Sequence, residues 1–250
     1  MSHYHPRVIE KQGKASWARP TTLGVVLIVL ITAVGCAQGS RDADGSPSKA
    51  STASGSNVVK LIAEAPGCDA KPEGTGFAYA PERVMTTAHL VAGTTGPITV
   101  IGTDGKRSEG RVVLFDPGRD VAVLRVPGLR AGSLAFGPID PGDSATLVGY
   151  PKGGDLTVIS GSIGRRAPAY GQDIYNERQV LREVLIVHAA VEPGVPGAPL
   201  FRSDGKVAGM IFASDLDKPS GYALTAEEIA RPAMDGTTAA ATASTQGCSD

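Results

Sequence analysis

The sequence predicts an all-β fold. Short runs of apolar and β-branched residues are separated by turn residues, and two of the gaps hold the hairpin dipeptides Asp104-Gly105 and Asp204-Gly205. Helix signals occur in only one segment of the predicted folded part. Many short strands at this spacing are typical of a barrel or a sandwich. The predicted strands occupy residues 58–62, 76–79, 84–87, 98–101, 111–114, 121–124, 145–148, 156–160, 180–191 and 207–212.

The helix signals lie at residues 225–234. Thr225 is predicted as the N-cap, and Glu228, three positions later, completes a capping box. Residues 236–247 form a low-complexity stretch rich in Ala, Thr and Gly. We therefore predict one short helix near the C-terminus.

The N-terminus carries an export signal. Residues 1–20 include four basic side chains, and an uncharged apolar run follows at residues 21–35. At 1.5 Å per residue this run reaches roughly 23 Å as a helix, less than the ~30 Å of a bilayer core. It ends in Ala33-Val34-Gly35-Cys36, which resembles the lipobox of bacterial lipoproteins. We predict a signal peptide over residues 1–36 with lipid on Cys36. The alternative is an uncleaved signal anchor, and both place the domain on the extracytoplasmic side.

Residues 37–57 are rich in Ser, Gly, Ala and Asp and have no apolar periodicity. Such a segment buries too little apolar surface to offset the entropy of ordering, so we predict a flexible tether. The folded domain is predicted to span residues 58–250.

The three cysteines permit one disulfide. If Cys36 carries lipid, Cys68 and Cys248 remain, one near each end of the folded region. An exported protein can keep a disulfide, and we predict one between them. Two free thiols are the alternative.

Charge and motif content argue against several classes of function. The formal net charge is −1, with acids and bases interspersed, so we predict no binding of nucleic acid. Zinc-type spacing of Cys and His and a phosphate-binding context for a Gly-rich loop are both missing from the sequence, and we predict no metal and no cofactor. His188 lies in an apolar run and is interpreted as a strand histidine.

Several segments, taken in order, resemble those of trypsin-like serine proteases, including the Htr type. The segment from Val84 to Val91 contains the Thr-Ala-His sequence that carries the base of those enzymes, and Asp120 to Leu124 matches their Asp-containing motif. Further matching segments are Gly74-Thr75-Gly76-Phe77, Val148-Gly149-Tyr150-Pro151, Gly194 to Leu200 and Gly221-Tyr222-Ala223-Leu224. Within the family, the sequence resembles the periplasmic domain of the mycobacterial acid-resistance membrane serine protease. The similar segments are residues 80–86, 120–128 and 173–175, together with the cysteines Cys68 and Cys248.

The resemblance implies two six-stranded antiparallel β-barrels, with lobes at about 58–135 and 136–235 and a cleft between them. His89 and Asp120 would belong to the first lobe, as base and orienter, and the loop at residues 194–200 would belong to the second. In a working site, Asp holds the imidazole so that its other nitrogen faces the serine.

The matched loop lacks the nucleophile. The family pattern reads Gly-Asn-Ser-Gly-Gly-Pro-Leu, so Pro196 stands at the position of the attacking serine. A pyrrolidine ring offers no ionisable hydroxyl or thiol. Proline also has no N–H, so one of the two oxyanion donors is lost and Gly194 would supply the other. Val195 and Ala198 stand where Asn and Gly are usual.

These features lead us to expect a catalytically inactive protease homologue with a vestigial His89–Asp120 pair. It would bind a peptide or an envelope protein in the former cleft and reach the membrane through its lipid anchor. The alternative is an active envelope endopeptidase with an unforeseen nucleophile; Ser203 and Ser214 are expected to lie beyond reach of His89. A third possibility is a spacer domain with a collapsed cleft. The oligomeric state is not predicted.

Overall fold

A computed structural model describes residues 55–215 and 218–249, which belong to one compact unit. The predicted signal peptide, Cys36 and the tether up to residue 54 lie outside these residues. Within the described part, twelve strands form two closed antiparallel barrels of six strands each, which confirms the predicted fold class. None of the helices in this part is long and apolar enough to cross a membrane.

The first barrel has the strand order β1-β2-β3-β6-β5-β4 and the second has the order β10-β11-β12-β9-β8-β7. The strands of the first are β1 (Val58–Ile62), β2 (Glu73–Ala80), β3 (Arg83–Thr86), β4 (Ile98–Ile101), β5 (Arg107–Asp116) and β6 (Val121–Arg125). Those of the second are β7 (Ser144–Gly149), β8 (Thr157–Gln172), β9 (Gln179–His188), β10 (Pro199–Phe201), β11 (Val207–Ser214) and β12 (Ser220–Thr225).

Apolar side chains fill each barrel and the junction between them. The first barrel encloses residues that include Leu61, Val84, Ile98, Val100 and Leu124. The second encloses residues that include Leu147, Ile163, Leu185, Leu200 and Ile211. A third cluster joins the two barrels and includes Phe77, Met85, Val123, Met210, Phe212 and Leu224. Because the junction is itself a core, the edges of both barrels are held in fixed positions around the cleft.

Both predicted hairpin dipeptides form turns. Gly105 links β4 to β5 and Gly205 links β10 to β11, with φ of 77° and 81°. Such positive φ values suit glycine because it has no Cβ. Two strands were missed by the sequence analysis: β10, which has three residues, and β12, whose alternation of small and polar residues is weak.

The strand β8 is much longer than the predicted segment at residues 156–160. Gly161, Gly164, Pro168 and Gly171 interrupt its apolar pattern, so the sequence gives no strand signal beyond Ser160. Pairing with β9 extends it to Gln172, with a register shift between Ile163 and Arg165. Tertiary pairing therefore overrides weak local preference here.

Two α-helices lie wholly within the described residues, α1 (Ala88–Val91) and α2 (Ala226–Thr238). The side chain of Thr225 accepts a hydrogen bond from the Glu228 amide, as the capping box predicts. The helix α2 continues past the predicted end into the low-complexity stretch, where Gly236 packs against Val123 of β6 with no room for a Cβ.

The ends of the described part are docked on the first barrel. The side-chain amide of Asn57, the last residue of the predicted tether, donates to the carbonyls of Ala78 and Gly132, both at 2.8 Å. Near the C-terminus, the Thr245 hydroxyl donates to the Thr94 carbonyl at 2.7 Å. The predicted disulfide joins Cys68 to Cys248.

Candidate functional site

A groove of 810 Å³ lies between the barrels. The first barrel contributes His89, and the second contributes Gly194, Pro196 and the segment from Phe212 to Asp215. The disulfide between Cys68 and Cys248 lies at its margin. Of the residues that the sequence analysis assigned to the cleft, His89, Gly194 and Pro196 line this open groove, whereas Asp120 is fully buried and does not line it.

Neighbouring strands bring His89 and Asp120 together. His89 follows the end of β3, Asp120 precedes the start of β6, and the two strands are antiparallel partners in which Thr86 pairs with Ala122. The His89 Nδ1 lies 2.8 Å from Asp120 Oδ2, and the His89 backbone amide donates to Asp120 Oδ1 at 2.9 Å. Asp120 adopts φ of 62°, which Asp tolerates better than most residues. The pair thus has the orientation that general-base chemistry requires.

The environment of His89 favours its charged form. Burial of the imidazole lowers its pKa, but the charge of the Asp120 carboxylate and the hydrogen bond to it raise the pKa more, so that it lies above the ordinary value of 6.5. Asp120 is fully buried, whereas the His89 side chain is 23% exposed. A carboxylate in such a low-dielectric position acts strongly on its neighbour.

Replacing Asp120 with asparagine is expected to lower the His89 pKa below 6.5, because burial remains after the carboxylate charge is removed. Asparagine also tolerates the positive φ of this position. A proton and carbon NMR titration of the His89 imidazole measures its pKa in the wild type and in the variant.

The same pair makes stability depend on pH. The folded-state pKa of His89 is raised, so its stabilisation is present below pH 6.5 and is lost as the pH rises through the folded-state value. The difference in unfolding free energy between wild type and Asp120→Asn should shrink over that interval. His89→Gln serves as the non-titrating control, and an unchanged His89 midpoint in Asp120→Asn would contradict the assignment.

Thr87 is a site residue that the sequence analysis missed. Its Oγ1 lies 3.4 Å from His89 Nε2, the nitrogen that faces the serine in a working triad. Thr87 is fully buried and does not line the groove. The motif containing it offered no signal, because either hydroxyl of the Thr86-Thr87 pair could have turned towards the imidazole.

The loop that carries Pro196 is held by backbone hydrogen bonds and by apolar packing. The Gly197 amide donates to the Ile211 carbonyl at 2.7 Å, and the Ala198 amide donates to the Val195 carbonyl at 2.9 Å. Val195 and Ala198 are fully buried in the core of the second barrel. The two departures from the family pattern thus contribute to this core.

Gly194 retains a potential oxyanion donor. It adopts φ of 89° and lines the groove, and its amide donates to no acceptor among the described residues. A Cβ at this position would lie 2.5 Å from the Tyr150 carbonyl oxygen, so a side chain would not fit. Pro196 has no N–H to offer beside it.

Thr75 fixes the loop to the first barrel. From β2, its buried hydroxyl donates to the Gly194 carbonyl at 2.7 Å and accepts from the Tyr150 amide at 3.0 Å. The Thr75 amide also donates to the Pro196 carbonyl at 3.4 Å. One side chain therefore bridges both barrels, although sequence reasoning treated its motif only as a family signature.

The strand β11 has an open edge at the groove. Its pairing with β10 ends at Met210, and contacts with the loop end at Ile211. Beyond that point, the strand pairing of Ala213 and Ser214 among the described residues is with β12 on the opposite side. An extended chain could add to such an edge as a further strand.

Ser203 and Ser214 do not serve His89. Ser203 lies in the exposed turn between β10 and β11, away from the groove. Ser214 lines the groove, but neither hydroxyl hydrogen-bonds to the imidazole. His188 is an exposed residue at the end of β9 that packs against Gly164. Within residues 55–215 and 218–249, no group of three or more His, Cys, Asp or Glu side chains is placed to hold a metal ion.

Comparison with known sequences supports this geometry. A family model described as trypsin-like peptidase domain matches residues 74–210. The serine protease Rv3671c of Mycobacterium tuberculosis is 41% identical over 178 residues, 70% of this chain and 44% of that protein. A DegP-like periplasmic serine endoprotease of Chlamydia pneumoniae is 32% identical over 142 residues, 55% of this chain and 28% of that protein. This chain thus spans less than half the length of these relatives.

Solved structures agree with the sequences. The active form of the Rv3671c protease from M. tuberculosis has a TM-score of 0.77 at 37% identity, covering 81% of this chain and 89% of that one. Its inactive form has a TM-score of 0.66 at the same identity, covering 73% and 90%. The comparisons confirm the resemblance that the motifs predicted.

Proposed function

We propose that this chain, which belongs to the trypsin-like peptidase family, is a non-catalytic member that binds an extended peptide segment in its groove. The partner is a peptide or a protein of the cell envelope. The observation that carries this proposal is Pro196 at the position of the attacking hydroxyl.

Two losses at Pro196 support inactivity. The ring supplies no group that His89 could deprotonate, so no covalent intermediate can form there. The missing N–H leaves Gly194 as a single oxyanion donor, and losing one donor typically costs about 10²- to 10³-fold in rate. The hydroxyls of Ser203 and Ser214 do not replace the nucleophile, since neither hydrogen-bonds to His89 and Ser203 lies outside the groove.

The open edge of β11 supports peptide binding. A peptide added to Ala213 and Ser214 would gain main-chain hydrogen bonds, while its alternate side chains would enter the groove. The groove is large enough for several side chains, at 810 Å³. A collapsed groove would have favoured a spacer instead.

The proposed location is the outer face of the bacterial cell membrane. The basic and apolar N-terminal segments predict export, and lipid on Cys36 would anchor the domain. The name of the chlamydial relative describes a periplasmic protein, which agrees with this location. The tether at residues 37–57 would let the groove reach partners at a distance from the membrane.

Blocking the groove tests the binding function. We expect Ser214→Trp to weaken binding of fluorescein-labelled, acetylated peptides of random sequence about tenfold or more, equivalent to about 1.4 kcal/mol. Ser203→Trp is the matched control, because it places the same side chain in an exposed turn outside the groove. Fluorescence polarisation measures both, and equal binding by the two variants would contradict the proposal.

A second candidate, an active hydrolase, is favoured by one observation. Thr87 places a hydroxyl 3.4 Å from His89 Nε2, and catalytic hydrogen bonds are often long before substrate binds. Its complete burial argues against this role, because a peptide carbonyl could not approach it. Labelling with a fluorophosphonate probe distinguishes the two functions. We expect no adduct, whereas an adduct on Thr87 that His89→Ala abolishes would establish the hydrolase.

A further inference from the structure

Thr87 occupies an N-cap position without acting as a cap. It precedes α1 with φ of −78° and ψ of 147°, the extended conformation of an N-cap, yet its side chain makes no capping hydrogen bond. A threonine at this position ordinarily accepts a hydrogen bond from an amide in the first turn of the helix. Its hydroxyl is instead directed to His89 Nε2.

The protonation state of the imidazole determines which group donates the hydrogen bond between Thr87 and His89. When His89 is neutral and Nδ1 donates to Asp120, Nε2 carries the lone pair and can only accept. The Thr87 hydroxyl is then the donor. In a working triad the serine hydroxyl donates to this same nitrogen. Thr87 therefore provides the chemical group that the loop lost at Pro196, although its own side chain does not line the groove.

We propose that Thr87 is a positioning residue that replaces the absent serine as a hydrogen-bond partner of His89. The hydrogen-bonded chain from Asp120 through His89 to Thr87 holds the imidazole in its catalytic orientation without a nucleophile. His89 then lines the groove in a fixed orientation. This role does not depend on whether the groove binds peptide.

The adjacent threonine provides a matched control. The Thr86 hydroxyl donates its hydrogen bond to the Thr75 carbonyl at 2.7 Å and not to His89. Thr86 and Thr87 are both fully buried, and valine has nearly the shape of threonine without the hydroxyl. Replacing each in turn with valine therefore makes the same chemical change one residue apart.

Nitrogen NMR of the histidine rings, at a pH where His89 is neutral, tests the proposal. Donation into the lone pair of an imidazole nitrogen shields that nitrogen. We expect Thr87→Val to move the Nε2 resonance downfield, towards that of a nitrogen without a donor. Thr87→Ser, which keeps the hydroxyl, and Thr86→Val should leave it near its wild-type position. An unchanged resonance in a folded Thr87→Val protein would overturn the proposal.

The unmutated protein provides a second readout if Thr87→Val does not fold. A buried hydroxyl that is hydrogen-bonded to an imidazole should exchange slowly with solvent and show a nuclear Overhauser contact to the His89 ring. Rapid exchange with no such contact would reject the role of Thr87. Loss of peptide binding in Ser214→Trp would leave both results unaffected, so this inference and the proposed function can fail separately.

Discussion

Replacing Pro196 with serine is expected to give the protein peptidase activity at least about 10³-fold above the unmutated chain. The substitution supplies a nucleophile and restores the second oxyanion amide, and each loss on its own costs about 10² or more in rate. Serine can adopt the φ of about −65° that proline imposes. Hydrolysis of a chromogenic peptide and labelling by a fluorophosphonate measure the gain.

The single substitution is a sharper test than rebuilding the whole loop. Val195 is fully buried among apolar side chains, so Val195→Asn would bury an amide at a cost of about 1–3 kcal/mol. Pro196→Ala is the control for the restored amide alone, since it adds the N–H without a hydroxyl. Pro196→Ser with His89→Ala is the control for the base. A folded Pro196→Ser protein with no activity would show that the His89–Asp120 pair is not placed to serve this position.

Replacing both Cys68 and Cys248 with alanine is expected to reduce the free energy of unfolding by about 2–5 kcal/mol. The bond closes a loop with a sequence separation of 180 residues, and long loops lose the most unfolded-state entropy when closed. Little packing is lost, because Cys68 is half-buried and Cys248 is exposed. The expected fall in Tm is roughly 5–15 °C for a domain of this size.

Calorimetry of the alanine variant against Thr245→Val separates the bond from the rest of the C-terminal docking. Thr245→Val removes one hydrogen bond to Thr94 and should cost only about 1 kcal/mol. If the two variants lose the same stability, the disulfide contributes little beyond local docking, contrary to the expectation.

The His89–Asp120 pair was predictable because its signal is local. Each residue adjoins a short apolar strand, and the two strands are neighbours in the barrel that the family resemblance implies. The assignment of Pro196 was local as well, since four of the seven loop positions match the family pattern. Gly194, which adopts a positive φ, supports the same alignment of the loop with the family pattern.

The remaining contacts of the site depend on packing between distant segments. Thr75 and Gly194 are 119 positions apart in the sequence. Their hydrogen bond forms because the two barrels that carry them pack against each other. Val195 and Ala198 read as departures from a loop pattern, but both are buried in the core of the second barrel. The length of β8 likewise depended on pairing with β9.

The sequence by itself determined the fold class, the His89–Asp120 pair, the disulfide partners and the absence of a hydroxyl at Pro196, because each rests on residue identity or short-range pattern. The tertiary structure decided that the groove is open, that β11 presents a free edge and that Thr87 faces the imidazole. These features depend on the relative position of two closed barrels, which local preferences do not encode. The identity of residue 196 shows that the nucleophile is missing, and the packing of the two barrels determines which residues surround that position.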